Sequence, residues 1–169
     1  AKLCLLRGIP YPAKERQAAT PEPFLPPGTS YKTGSPAENL KAAQIFMDET
    51  RESDGIESFP SGMLWKIVDL GSGKSPHPDS TIRARIIGHL WNEKIVQSTD
   101  EANTGKPMVF KLSMLCPGVQ EAFCEMKVGG RRKLYLPPKL AYGKNGQPSE
   151  NIPFNAAMWY DIKLVNVLD

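Results

Sequence analysis

The sequence predicts an α+β domain: an antiparallel sheet packed on one short α-helix, with a second helix and an extended arm ahead of it. Three observations carry this reading. Five stretches between residues 62 and 164 alternate apolar and polar residues, as half-buried strands do. One stretch among them, PGVQEAFCEM, repeats its apolar residues at helical spacing instead. A self-capped amphipathic segment precedes them all. One short helix lying across one face of an antiparallel sheet is an α+β arrangement.

The chain of 169 residues opens with an arm, residues 1–35, that holds Pro10, Pro12, Pro21, Pro23, Pro26 and Pro27 with few large apolar groups between them. Such a segment cannot build a core and is expected to run as extended, polyproline-like chain. The helix follows in SPAENLKAAQIFMDETRESDG. Ser35 is a natural N-cap, Pro36 suits the first helical position, and Glu38 stands three residues after the cap. Ala42, Ala43, Phe46 and Met47 then share one face, and Asp54-Gly55 ends the segment. This predicts a helix over 36–52 within a helix-and-linker unit, residues 36–55, ahead of the main domain, residues 56–169.

The strands follow. GMLWKIVDL sets Met63, Trp65 and Ile67 on one side. STIRARIIGHLW sets Ile82, Ala84, Ile86 and Leu90 against Arg83, Arg85 and His89. KPMVFKL offers Met108, Phe110 and Leu112, RRKLYLP offers Leu134 and Leu136, and AAMWYDIKL offers Met158, Tyr160, Ile162 and Leu164. Between the third and fourth, Val119, Ala122, Phe123 and Met126 fall at i, i+3, i+4 and i+7, one helical stripe.

Composition excludes several functions. A net charge of +3 is too small for a nucleic-acid binder. There is no run of 18 apolar residues to span a membrane. GSGKS, residues 71–75, lacks the earlier glycine of a phosphate loop, since Val68 holds that position, and PHPD follows where a helix is needed. It reads as a turn. His77 and His89 stand apart, no His or Cys cluster has metal spacing, and no cofactor is implied. Cys116 and Cys124, at the two ends of one helix, would lie ~12 Å apart, too far to bridge. Three free thiols are the default reading, with pairing of Cys4 to either as the alternative. No nucleophile motif is present. Arg83, Arg85 and the run Arg131, Arg132, Lys133 read as a solvated sheet face, or as a docking surface for an acidic partner.

The phrases SGMLWKIVDLGSG, GKPMVFKL, PGVQEAFCEMKVGGRRKLYLPPKLAYG and IPFNAAMWYDIKL resemble the FKBP family of peptidyl-prolyl isomerases, and within it the bacterial Mip-like branch. The likeness covers residues 56–169. It implies an FKBP-like sheet wrapped on the short helix, and a cup of aromatic side chains that binds a proline-containing peptide. Rotation about an X–Pro amide is slow because resonance must be broken, at a barrier of about 18–20 kcal/mol. A catalyst need only bind the twisted amide better than the planar one. The resemblance assigns Tyr142, in the AYG loop, as hydrogen-bond donor to a ligand carbonyl, and keeps Ile152 and Tyr160 at the pocket wall.

The other pocket positions depart from the family. Ile86 replaces a tyrosine, Val96 and Gln97 replace a Phe-Asp pair, and Met108 replaces a phenylalanine. Leu115 and Cys116 occupy a shortened aliphatic position, and Val119 replaces a tryptophan. Each lost aromatic can bury about 150–250 Å². Weak or lost isomerase activity is therefore expected, with a role as a structural subunit docked in a larger complex, a membrane-associated one included. The alternative is an active isomerase that assists folding. The Mip-like resemblance and the start at Ala1 suggest an exported or lumenal compartment, bacterial periplasm or thylakoid lumen.

Overall fold

The computed structural model describes residues 34–102 and 104–169. The arm, up to residue 33, and the Cys4 thiol therefore lie outside the described residues.

Helix α1 spans Pro36–Arg51 and carries the expected capping box. The Ser35 hydroxyl accepts from the Glu38 N–H at 3.4 Å, and the Glu38 carboxylate accepts from the Ser35 N–H at 2.6 Å. Those hydrogen bonds, the backbone one first, hold the Glu38 carboxyl below its ordinary pKa. Ala43 and Met47 are buried, with Ala42 and Phe46 half-buried beside them. A further anchor was not anticipated. Asn39, 1% exposed, donates to the Phe154 carbonyl at 2.9 Å and accepts from the Gly34 N–H at 3.0 Å. The Asn155 amide donates to the Pro36 carbonyl at 2.9 Å. The helix is thus tied to a loop more than a hundred residues away.

Among the described residues, strands β1 (Ile56–Ser58), β2 (Leu64–Asp69), β3 (Thr81–Leu90), β4 (Ile95–Ser98), β5 (Met108–Lys111), β6 (Arg131–Leu136) and β7 (Met158–Val167) form one antiparallel sheet. Its order is β1-β2-β6-β7-β3-β4. Strand β3 shares its outer edge between two partners: Thr81–Ala84 pair with β5 and Ile87–His89 with β4. A single turn, α2 (Thr99–Ala102), follows β4, and α3 (Pro117–Cys124) lies against the sheet. Val119, Ala122, Phe123 and Met126 are each fully buried, as their spacing predicts.

The short strands β1 and β4 were not foreseen. Leu64, expected on the polar side of β2, is 1% exposed. Residues 71–75 form a loop in which the Ser72 and Gly73 N–H groups donate to the Val128 carbonyl, as the turn reading predicts. Cys116 stands at the N-cap position of α3 and Cys124 at the end of the helix.

The basic run is not one solvated face. Arg132 is 3% exposed, with its guanidinium 4.9 Å from the Trp65 ring and its Nη1 on the Asp69 and Arg131 carbonyls. Burial lowers its pKa from the ordinary arginine value. Arg131 forms a two-pronged pair with Asp161 at 2.6 and 2.9 Å, and Arg85 pairs with Asp100 in the same way. The outer face also carries a stack: the His89 and Trp159 rings lie 3.8 Å apart and 2° from parallel, with Tyr135 at 6.3 Å from Trp159 and Phe46 of α1 at 6.1 Å from Tyr135.

Candidate active site

The pocket positions named from sequence gather in the core between the sheet and α3. Ile86, Val96, Leu115, Cys116, Val119, Ile152 and Tyr160 are all 2% exposed or less. Tyr142 is 9% exposed, and Met108 packs half-buried against the same cluster. What joins them is polar. Tyr160 of β7 donates from its hydroxyl to the Gln97 Oε1 at 3.0 Å. Gln97 Nε2 donates to the Tyr142 hydroxyl at 2.5 Å and to the Glu150 Oε2 at 2.6 Å. A primary amide has two protons to give. Both are used here, and the amide oxygen is occupied as well.

Each participant is placed by a local device. Gln97 sits on β4 directly across from Gly88 of β3, and Gly88 lies directly across from Tyr160 of β7. A Cβ at Gly88 would stand 2.7 Å from the Tyr160 ring and 3.0 Å from Gln97 Oε1. The missing side chain is what lets the tyrosine and the glutamine meet across the middle strand. Tyr142 follows a 3₁₀ turn, Pro138–Leu140, that two prolines start. Its loop is then closed by the paired backbones of Gln147 and Ile152, at 2.9 and 3.1 Å, and by the Asn155 N–H on the Gly143 carbonyl at 3.0 Å. Gly146, at φ +60°, passes so close to Ile152 and Pro153 that a Cβ would meet the Ile152 carbonyl at 2.4 Å. Ile152 is thereby turned inward.

Two sulfurs approach the Tyr160 hydroxyl, that of Cys116 at 3.9 Å and that of Met158 at 3.8 Å. Full burial, and after it the nearby Cys116 and Tyr142, push the Tyr160 pKa well above the ordinary phenol value. The phenol is therefore a hydrogen-bond donor at physiological pH, not a base. Glu150, Met158 and Gly88 are site residues that the sequence reading missed. Only Gly88 left a signal, a glycine inside an otherwise well-alternating strand.

This fold, an antiparallel sheet packed on a short helix with a buried tyrosine in a proline-started loop, is FKBP-like. The sequence model of the FKBP-type peptidyl-prolyl cis-trans isomerases matches residues 72–165, and the chain belongs to that family. Its relatives place it in the Mip-like branch. The isomerase FkpA of Escherichia coli K12 is 30% identical over 131 residues, covering 78% of this chain and 47% of FkpA. The isomerase Mip of Coxiella burnetii is 30% identical over 129 residues, covering 76% of this chain and 55% of Mip. The crystal structure of E. coli FkpA superposes with a TM-score of 0.72 at 30% identity, covering 78% of this chain and 60% of that one. A Pseudomonas syringae peptidyl-prolyl isomerase structure gives 0.70 at 28% identity, covering 84% of this chain and 100% of that one. The chain spans about half the length of the curated relatives it matches.

Proposed function

We propose that the chain binds X–Pro segments at Tyr142 with weak isomerase turnover, and that it serves mainly as a docking subunit for other proteins. The observation that supports weak turnover is the Gln97 amide, 1% exposed, bonded to Tyr142, Tyr160 and Glu150. A twisted X–Pro amide has lost much of its charge separation. It gains over the planar form in a dry, apolar cup and gains little among oriented dipoles and a carboxylate. A substrate must also meet the Tyr142 hydroxyl where Gln97 already holds it. In this reading Tyr142 is the grip, Ile152 and Tyr160 are retained walls, and Ile86, Val96, Met108, Leu115, Cys116 and Val119 widen or fill the cup. The docking role draws on the proline-rich composition of residues 1–35, expected to lie on a partner, with residues 56–169 as the folded domain.

Exchange NMR on a short X–Pro peptide tests the first part. Slow but measurable acceleration, weakened further in Tyr142→Phe and raised in Val96→Phe, is the expected result. Turnover as fast as that of E. coli FkpA, unchanged by either variant, would sink it. The docking role is read by size-exclusion chromatography of the chain with and without residues 1–35 in an extract of its source.

A further inference from the structure

A groove of about 540 Å³ lies between α1 and the loop that follows β6. Its floor is apolar: Ala43 and Met47 from the helix, Pro137 and Pro138 from the loop. At its edge two large apolar side chains stand in water. Leu40 is 53% exposed and Phe154, next to the lining residue Asn155, is 47% exposed. The side-chain amide of Asn39, the chain neighbour of Leu40, donates to the Phe154 carbonyl at 2.9 Å. Exposed apolar surface gathered at one place, rather than scattered, marks an interaction site.

The rim has one sign of charge. Arg51, Lys139 and Lys144 line the groove and, among the described residues, no acidic side chain does. The Arg51 charge is taken by Asp48 at 2.9 Å, which leaves the two lysines, both exposed, on the loop wall.

We infer that this groove docks an extended peptide segment of a partner protein that carries apolar and acidic side chains together. Apolar groups would lie on Met47 and the two prolines, and carboxylates would reach Lys139 and Lys144. Charge complementarity selects this occupant over a basic or purely apolar one. The inference specifies a surface for the docking role proposed above. It does not involve isomerisation at Tyr142.

The test uses the whole chain and two fluorescein-labelled probe peptides, one built of leucine, serine and glutamate, the other with lysine in place of each glutamate. The acidic probe should bind and shift amide resonances of α1 and residues 137–144. Leu40→Asp, or the pair Lys139→Glu and Lys144→Glu, should weaken it about tenfold or more, and the charge-reversed chain should now prefer the lysine probe. Equal binding of both probes, no binding, or shifts confined elsewhere would overturn the inference. A carbodiimide cross-link from Lys139 or Lys144 to Glu15 or Glu22 in the isolated chain would assign the groove to the chain's own arm. A dimer that Leu40→Asp dissociates would assign it to a second copy. Either also overturns it. Because the probes read the groove alone, their failure leaves the size-exclusion test of the docking role intact.

Discussion

Gly88 is the least conspicuous residue of the site, and its substitution should be among the more damaging. A methyl group there would sit 2.7 Å from a tyrosine ring that is fully buried and has no space to retreat into. Overpacking of this kind costs roughly 1–3 kcal/mol. Gly88→Ala should therefore lower the urea midpoint, and should also shift the Tyr160 ring signals in an NMR spectrum. Gln97→Leu tests the same contact from the other side. It removes the acceptor of the Tyr160 hydroxyl, 3.0 Å away, and the donor to Glu150. Buried polar groups stripped of a partner cost about 1–3 kcal/mol, and the same unfolding measurement would show it. From sequence, Tyr142, Tyr160 and Ile152 are legible by resemblance. That Gln97 joins the two tyrosines is not, because a hydrogen bond between residues 45 and 63 positions apart leaves no periodic trace.

Helix α1 is the element whose attachment is easiest to dissect. Its N-terminus is capped by its own residues, a pattern visible in SPAE. Ser35→Ala should cost about 1 kcal/mol and speed amide exchange in the first turn while leaving the sheet untouched. Its docking rests on Asn39, which no local pattern marks as buried. Asn39→Ala should cost about 1–3 kcal/mol and speed exchange along all of α1, because the Phe154 carbonyl loses its donor. If exchange rises only in the first turn, Asn39 does not anchor the helix. The same division explains which strands could be read. β3 alternates over ten residues, β7 over its first seven and β6 over six, so each shows its period. β1 has three residues, and in β4 Val96, Gln97 and Ser98 are all buried, so neither alternates long enough to register.

Across the whole molecule, acid should find one weak point on the outer face. Burial against Trp159 brings the His89 pKa down from 6.5 to about 4, and its Nδ1 is buried with no hydrogen-bond partner. The folded state therefore holds the ring neutral at a pH where the unfolded chain protonates it. Stability from this residue is intact above pH 6.5 and falls between 6.5 and 4, by on the order of 2 kcal/mol, with no further loss below. Asp161 favours the charged ring and Lys133 opposes it. Glu93, whose pKa burial raises, gives the opposite slope. Comparison with His89→Phe isolates the histidine: the difference in unfolding free energy between native and variant chains should shrink from pH 7 to pH 4. A constant difference would mean that the ring opens to water before it titrates.

The sheet order has a consequence for how the protein is made. β7, the last of the described strands in chain order, sits between β3 and β6 and is the seam that joins them. A nascent chain that stops short of residue 158 holds both neighbours with their inner edges unpaired, and unpaired edges invite other chains. The sheet thus cannot close until synthesis has passed residue 167, and a chain that stops before residue 158 lacks the seam between its two halves.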